Sequence, residues 1–288
     1  MLIDFHTHTF PKDIAEKVMS KLAAHAAIRY YTKATNESLL ESMDRAGVDI
    51  SVVLPVVTKP SQYMTINKTA IWINETFSNR LISFGGIHPD NENYREILKG
   101  LVKSGIKGIK LHPLYQETDI DDIRYLRIIE TACELGLIVV LHAGKDLSFP
   151  GDHASPKKIS HMMDIIKPDR IVLAHMGAYA GWDEVYDMIC GRGAYLDTSF
   201  SVYPIRPQSD SQKDLELLKA NDMLVPELDK ELFRKMVKKN GADHILFASD
   251  SPWCDQKETY ELIDTCLDDE DKKAVYYQNA LKLLNLKG

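Results

Sequence analysis

Short runs of β-branched and aliphatic residues recur along the chain, each giving way to glycine, proline, serine or a polar residue, and amphipathic stretches fill the intervals. The runs end near His6, Leu54, Ile87, Leu111, Leu141, Ala174, Thr198 and Ser249, which predicts eight strands. Residues 61–79 place Tyr63, Ile66, Ile71, Ile73 and Phe77 near helical spacing. Residues 121–136 do the same with Ile123, Leu126, Ile129 and Cys133 and stop at Gly136. Ser155 followed by Pro156 reads as a helix cap and first turn, and Gly241 closes a helix that begins near Leu228. Strands separated by helices must run parallel, so the pattern predicts a single-domain (β/α)8 barrel, a TIM barrel, over residues 1–288.

Two connections are long. Residues 9–35 contain a helical run from about Lys12 to Ala26, and residues 199–227 contain Tyr203 and Arg206. Both follow strands and are expected to wall a substrate pocket, with Tyr203 and Arg206 as candidate substrate contacts. The 288 residues are 44% hydrophobic and 27% charged, ordinary for a globular chain able to bury a large core. A net charge of −7 without a basic run argues against nucleic acid or an anionic membrane as partner. A small molecule is the expected partner, and a homo-oligomer is open. Cys133, Cys190, Cys254 and Cys266 show no metal or disulfide spacing, and strand one begins too early for a secretory segment, so a cytoplasmic location is expected.

Chemistry enters at the strand ends. In Ile3-Asp4-Phe5-His6-Thr7-His8, alternation puts Asp4, His6 and His8 on one face and Ile3 and Phe5 on the other, so two imidazoles form a clamp for a metal. Lys110, His112, His142, His175 and Asp250 occupy equivalent positions after later runs. A barrel would gather them at one mouth, where such folds carry their chemistry. Parity turns Lys110 and His112 inward together, making His112 a candidate substrate contact. His88, in Gly-Ile-His-Pro, is either another or a strand cap. Asp4, one layer deeper, is expected to orient an imidazole. His25, His161 and His244 read as structural or surface residues, and His153 lies in a loop after strand five.

With those residues in place, the chain resembles the metal-dependent amidohydrolase superfamily, and within it the amidohydrolase-related branch that includes aminocarboxymuconate semialdehyde decarboxylase. The resemblance runs from Asp4-Phe5-His6-Thr7-His8 to Ser249-Asp250-Ser251-Pro252-Trp253. It implies a buried divalent metal, zinc first among the choices, on His6, His8, His142 and Asp250. It also implies that His175 either binds a second ion or acts as acid, base or electrophile. Gly108-Ile109-Lys110-Leu111-His112-Pro113 is similar to the strand of dihydroorotase-like members whose lysine is carboxylated and bridges two metals. Lys110 is therefore either that bridge or a cation for a substrate anion, and one or two ions are expected per chain.

Three imidazoles and a carboxylate leave a coordination position for water, whose pKa a metal lowers from about 15.7 to roughly 7. Asp250 would then take the proton while His175 polarises the substrate, which favours hydrolysis of an amide, lactone or ester-like bond. A non-oxidative decarboxylase is the alternative. A phosphoesterase of the polymerase-and-histidinol-phosphatase type ranks third, since such domains end in Asp-x-His and strand eight here gives Asp250-Ser251-Pro252. A non-enzymatic metal-binding protein is the fourth reading.

Overall fold

The computed structural model describes residues 1–149, 151–209, 211, 213–216 and 226–287; the part of the second long connection at 217–225 lies outside the described residues. Among the described residues nine short strands are parallel: β1 Ile3–Thr7, β2 Ile50–Val53, β3 Leu81–Ser83, β4 Gly85–Gly86, β5 Gly108–Leu111, β6 Ile138–Leu141, β7 Ile171–Leu173, β8 Tyr195–Asp197 and β9 Ile245–Leu246. They form two runs of neighbours, β1 to β3 and β4 to β9. The ring closes where Phe5 N–H donates to Phe247 O at 2.9 Å, Asp250 N–H to His6 O at 2.9 Å and His8 N–H to Ser251 O at 2.7 Å. First and last strands are thus adjacent, as a (β/α)8 barrel requires.

The third barrel strand is split into β3 and β4 rather than continuous to Ile87. Asn74 bonds Ser83 N–H and C=O at 2.6 and 3.0 Å, and Asn67 bonds Gly86 N–H and C=O at 2.8 and 3.1 Å. Both asparagines sit on the helix Tyr63–Thr76, so side-chain amides replace ladder bonds at the break. The other anticipated helices form at Ile123–Glu134, Pro156–Ile166 and Lys230–Asn240. The last is capped by Asp229, whose Oδ1 accepts from Glu231 N and Leu232 N at 2.8 and 3.1 Å.

Two apolar layers sandwich the ring. Ile3, Phe5, Val52, Phe84 and Val140 fill the barrel interior, while Val53, Ile109, Leu141 and Phe247 pack outward with Ile128, Met162 and Phe233. Gly108 faces inward: a Cβ there would lie 2.4 Å from the Phe84 ring and 2.6 Å from Ile138 O. Strand-one alternation breaks between Asp4 and Thr7, where the register against β2 slips. Asp4 therefore points away from the site, its Oδ2 accepting from Ser249 Oγ at 2.5 Å and Gln256 Nε2 at 2.7 Å. An extra residue resets the parity, so Ile3 and Phe5 fill the interior and His6 and His8 still reach the mouth.

The two long connections are joined to each other. Ile28 and Pro207 form an antiparallel bridge, Arg29 N–H donates to Arg206 O at 2.9 Å, and Gln208 N–H to Ala27 O at 2.9 Å. The four cysteines are free, and no helix among the described residues is long and apolar enough to cross a membrane.

Candidate metal centre

Four imidazoles at the mouth are each oriented by an acceptor on the far side of the ring. His6 Nδ1 donates to Asp197 Oδ2 at 2.9 Å, and His8 Nδ1 to Leu54 O at 2.7 Å. His142 Nε2 donates to Lys145 O at 3.1 Å, and His175 Nδ1 to Ser199 O at 3.1 Å. A carbonyl or ionised carboxylate can only accept, so each bond fixes which nitrogen carries hydrogen. The opposite nitrogens converge. His6 Nε2 and His8 Nε2 face each other at 3.2 Å, with Asp250 Oδ1 3.6 Å from the first and 3.1 Å from the second. His175 Nε2 and His142 Nδ1 face each other at 3.0 Å.

Electrostatics keeps these donors open. Burial, helped by Lys110, pulls His6 down to about 4, and burial drives His142 well below the usual imidazole value and lowers His175. Neutral His142 and His175 with those tautomers aim lone pair at lone pair. Asp250 Oδ1 is buried without a hydrogen bond; burial would raise this carboxyl, but His6 and His8 hold it at about 2. Nitrogen lone pairs and a carboxylate oxygen gathered at such distances form a donor set that a cation among them would complete. His6 Nε2, His8 Nε2 and Asp250 Oδ1 fit a divalent ion in chemistry and arrangement.

Lys110 lies below, 1% exposed, with Nζ 3.2 Å from His6 Nε2. Burial lowers it to about 8 against the opposing pull of Asp197 and Asp250.

The sequence model of the amidohydrolase family matches residues 3–286. The chain belongs to the amidohydrolase family. No curated protein sequence matches it. Among solved structures it is similar to 2,6-dihydroxybenzoate decarboxylase from Rhizobium, with a TM-score of 0.69, 14% identity, and coverage of 100% of this chain and 99% of the other. A dihydroxybenzoic acid decarboxylase from Polaromonas, with bound manganese and the inhibitor 2-nitroresorcinol, gives a TM-score of 0.67 at 14% identity over 99% and 96% of the two chains. A candidate 2-pyrone-4,6-dicarboxylic acid hydrolase from Pseudomonas putida gives 0.65 at 18% identity over 99% and 97%. Likeness at these identities shows the fold, and decarboxylases and a hydrolase share it.

In this amidohydrolase the cavity at the mouth measures about 250 Å³ and is lined by His6, His8, Lys110, His112, His142, His175 and Asp250. His142, grouped by resemblance with His6, His8 and Asp250, turns its Nδ1 to His175 instead. His88, Tyr203 and Arg206 are not among the lining residues. The Arg206 guanidinium is committed to Glu258, with Tyr31 Oη at 3.2 Å, and Tyr203 Oη donates to Glu258 at 2.7 Å. His88 Nδ1 accepts from Asp90 N at 3.2 Å, and His153 pairs with Asp119 at 2.7 Å.

Sequence reasoning passed over Asp197, Ser199 and Asp146. Asp197 Oδ1 accepts from His175 N at 3.1 Å and from Ser199 Oγ at 2.5 Å, while Oδ2 holds His6. Burial would raise Asp197, yet His6, His175 and Ser199 together keep it well below the ordinary carboxylate range. Its signal was present: Tyr195-Leu196-Asp197-Thr198-Ser199 is another apolar run ending in a polar residue. Asp146 had none, because it sits in a loop. Gly144, with φ of +85°, lets that loop pair with Tyr179 and turns Asp146 into the cavity.

Proposed function

We propose that this amidohydrolase is a metal-dependent hydrolase that cleaves an amide, lactone or ester-like bond of a small molecule. The observation that carries the reading is the convergence of His6 Nε2, His8 Nε2 and the unpartnered Asp250 Oδ1 in the cavity at the barrel mouth. These three residues would hold one divalent ion, zinc or a similar metal. His142 Nδ1 and His175 Nε2 would hold a second if Lys110 is carboxylated. When bound, the metal supplies a nucleophilic water at neutral pH and a Lewis acid for the scissile carbonyl.

The chain's own groups supply the rest. Asp250, kept ionised, takes a proton through its second oxygen and returns it to the leaving group. Asp197 and Leu54 O keep the imidazoles turned toward the cavity. Phe10, Val18, Leu22, Ile28 and Trp253 give the cavity an apolar wall. Lys110 at about 8 has a neutral fraction near pH 7.5, and its amine adds to carbon dioxide to give a carbamate and a proton. Left as an ammonium beside the donors, it favours the second reading, decarboxylation, by holding a substrate carboxylate.

The test is metal content by elemental analysis together with product analysis on a panel of lactones, esters, amides and aromatic carboxylates. Metal-dependent hydrolysis without carbon dioxide release is expected. Stoichiometric carbon dioxide release would replace hydrolysis with decarboxylation, and a metal-loaded protein without turnover across the panel would favour a binding role. About two ions in the native protein, falling to one in Lys110→Ala and restored by a short carboxylic acid, is the expected signature of a bridge.

A further inference from the structure

Beyond His142 the cavity has a second polar face. Asp146 is locked by the backbone of its own loop: Oδ1 accepts from Ser148 N at 2.7 Å and from Phe149 N at 3.0 Å. Oδ2 makes no hydrogen bond among the described residues. The imidazole nitrogens within 4.0 Å of it are His112 Nε2 at 3.6 Å and His142 Nε2 at 4.0 Å, and His25 and Asp250 act on the carboxylate from further away. Neither ring is free to close the gap. His142 Nε2 is spent on Lys145 O, and His112 is stacked between His142 at 4.0 Å and Tyr115 at 3.8 Å. A nearly buried carboxylate oxygen held open toward a cavity is an acceptor waiting for a donor that the described residues do not provide.

The geometry points to Asp146 Oδ2 as the acceptor for an N–H or O–H group of the substrate, which makes the substrate a hydroxy- or amino-substituted acyl compound. The inference rests on reading the His6, His8 and Asp250 pole as the hydrolytic centre. Both faces line one cavity: His142 presents Nδ1 to His175 and lies with Nε2 4.0 Å from Asp146 Oδ2, and His6, His8 and Asp250 border the same space. The donor therefore belongs to the part of the substrate held inside that shared cavity. Val18, Leu22, Ile28 and Trp253 receive the hydrocarbon remainder.

The probes are butyrate, 2-hydroxybutyrate, 3-hydroxybutyrate and 3-aminobutyrate, which stand in for acyl products. Their dissociation constants are measured by calorimetry on zinc-loaded full-length protein, wild type and Asp146→Asn. Asparagine keeps an Oδ1 for the loop, so the variant preserves the turn and removes the charge. A hydrogen bond to a carboxylate implies that a hydroxy or amino acid binds the wild type about tenfold or more tightly than butyrate. In Asp146→Asn the amino advantage disappears and the hydroxyl advantage falls several-fold. The substituent that gains more tells an ammonium-bearing substrate from a hydroxylated one. Equal affinity of all four acids for the wild type, or a preference that survives Asp146→Asn, overturns the assignment. Failure of the hydrolase reading looks different: butyrate then binds alike with and without zinc, while a substituent preference lost in Asp146→Asn still stands.

Discussion

At the scale of single residues, holding a metal and moving a proton fall on different atoms of the same set. Asp250 Oδ1 lies 3.1 Å from His8 Nε2 and has no hydrogen bond of its own, so it is placed to ligate while its partner oxygen carries the proton. Asp250→Asn is expected to retain most bound metal yet lose roughly a hundredfold or more in turnover, since an amide oxygen ligates weakly and accepts no proton. His6→Ala and His8→Ala should each lose the ion itself, and His142→Ala should cost only a second one. Elemental analysis beside steady-state kinetics separates the cases. Wild-type turnover in Asp250→Asn would remove Asp250 as the proton carrier. Arg206 illustrates the opposite outcome. A cation in a pocket-side loop invites a substrate role, but Glu258 is its partner across the loop, leaving little for a ligand.

At the scale of elements, close approach decides the strands. Gly108 places β5 against Phe84, where a Cβ would come within 2.4 Å of the ring. Gly108→Ala should therefore destabilise the barrel by about 1–3 kcal/mol through overpacking, and Phe84→Leu should recover part of that loss in the double variant. Urea denaturation of the four proteins measures the coupling. Additive losses would mean that the backbone at Ile138 O, rather than the Phe84 ring, bears the clash. The register slip in β1 acts on the same principle. One extra residue lets Asp4 tie strand one to Ser249 and Gln256 while His6, two positions on, enters the site. Left-handed φ values of +59° at His175 and +68° at Asp250 likewise turn both side chains where the regular strand has ended.

For the whole molecule, the buried imidazoles couple folding to pH. His6 falls from an ordinary 6.5 to about 4 mainly through burial, and His112, His142 and His175 shift in the same direction. Between pH 6.5 and 4 the unfolded chain takes up protons that these folded groups refuse, so stability falls as pH falls, by on the order of 3 kcal/mol for a shift the size of that at His6. Asp4 and Asp146, raised to about 6 by burial, act the other way, gaining stability as pH drops through that value. Four imidazoles outweigh two carboxylates. Metal-free protein should lose urea stability from pH 7 to pH 5, and a flat or rising profile would mean that the imidazoles are not held neutral. Bound metal should steepen the loss, because protons compete for the same nitrogens.

The order of strands and helices, the barrel class and the candidate ligands followed from the sequence, because each depends on local periodicity and on what terminates a run. Apolar alternation with glycine and proline stops marked all eight barrel positions, and polar residues at those stops included His6, His142, His175 and Asp250. The same local rule misplaced Asp4, because a bulge is set by the neighbouring strand and by Gln256 more than 250 residues away. It was silent on Asp146, because a loop has no period. The pairing of His142 with His175 and the withdrawal of Arg206 were decided by tertiary structure alone. Each depends on which partner lies within about 3 Å once neighbouring strands have paired and the connections beyond them have packed, and no local period carries that distance.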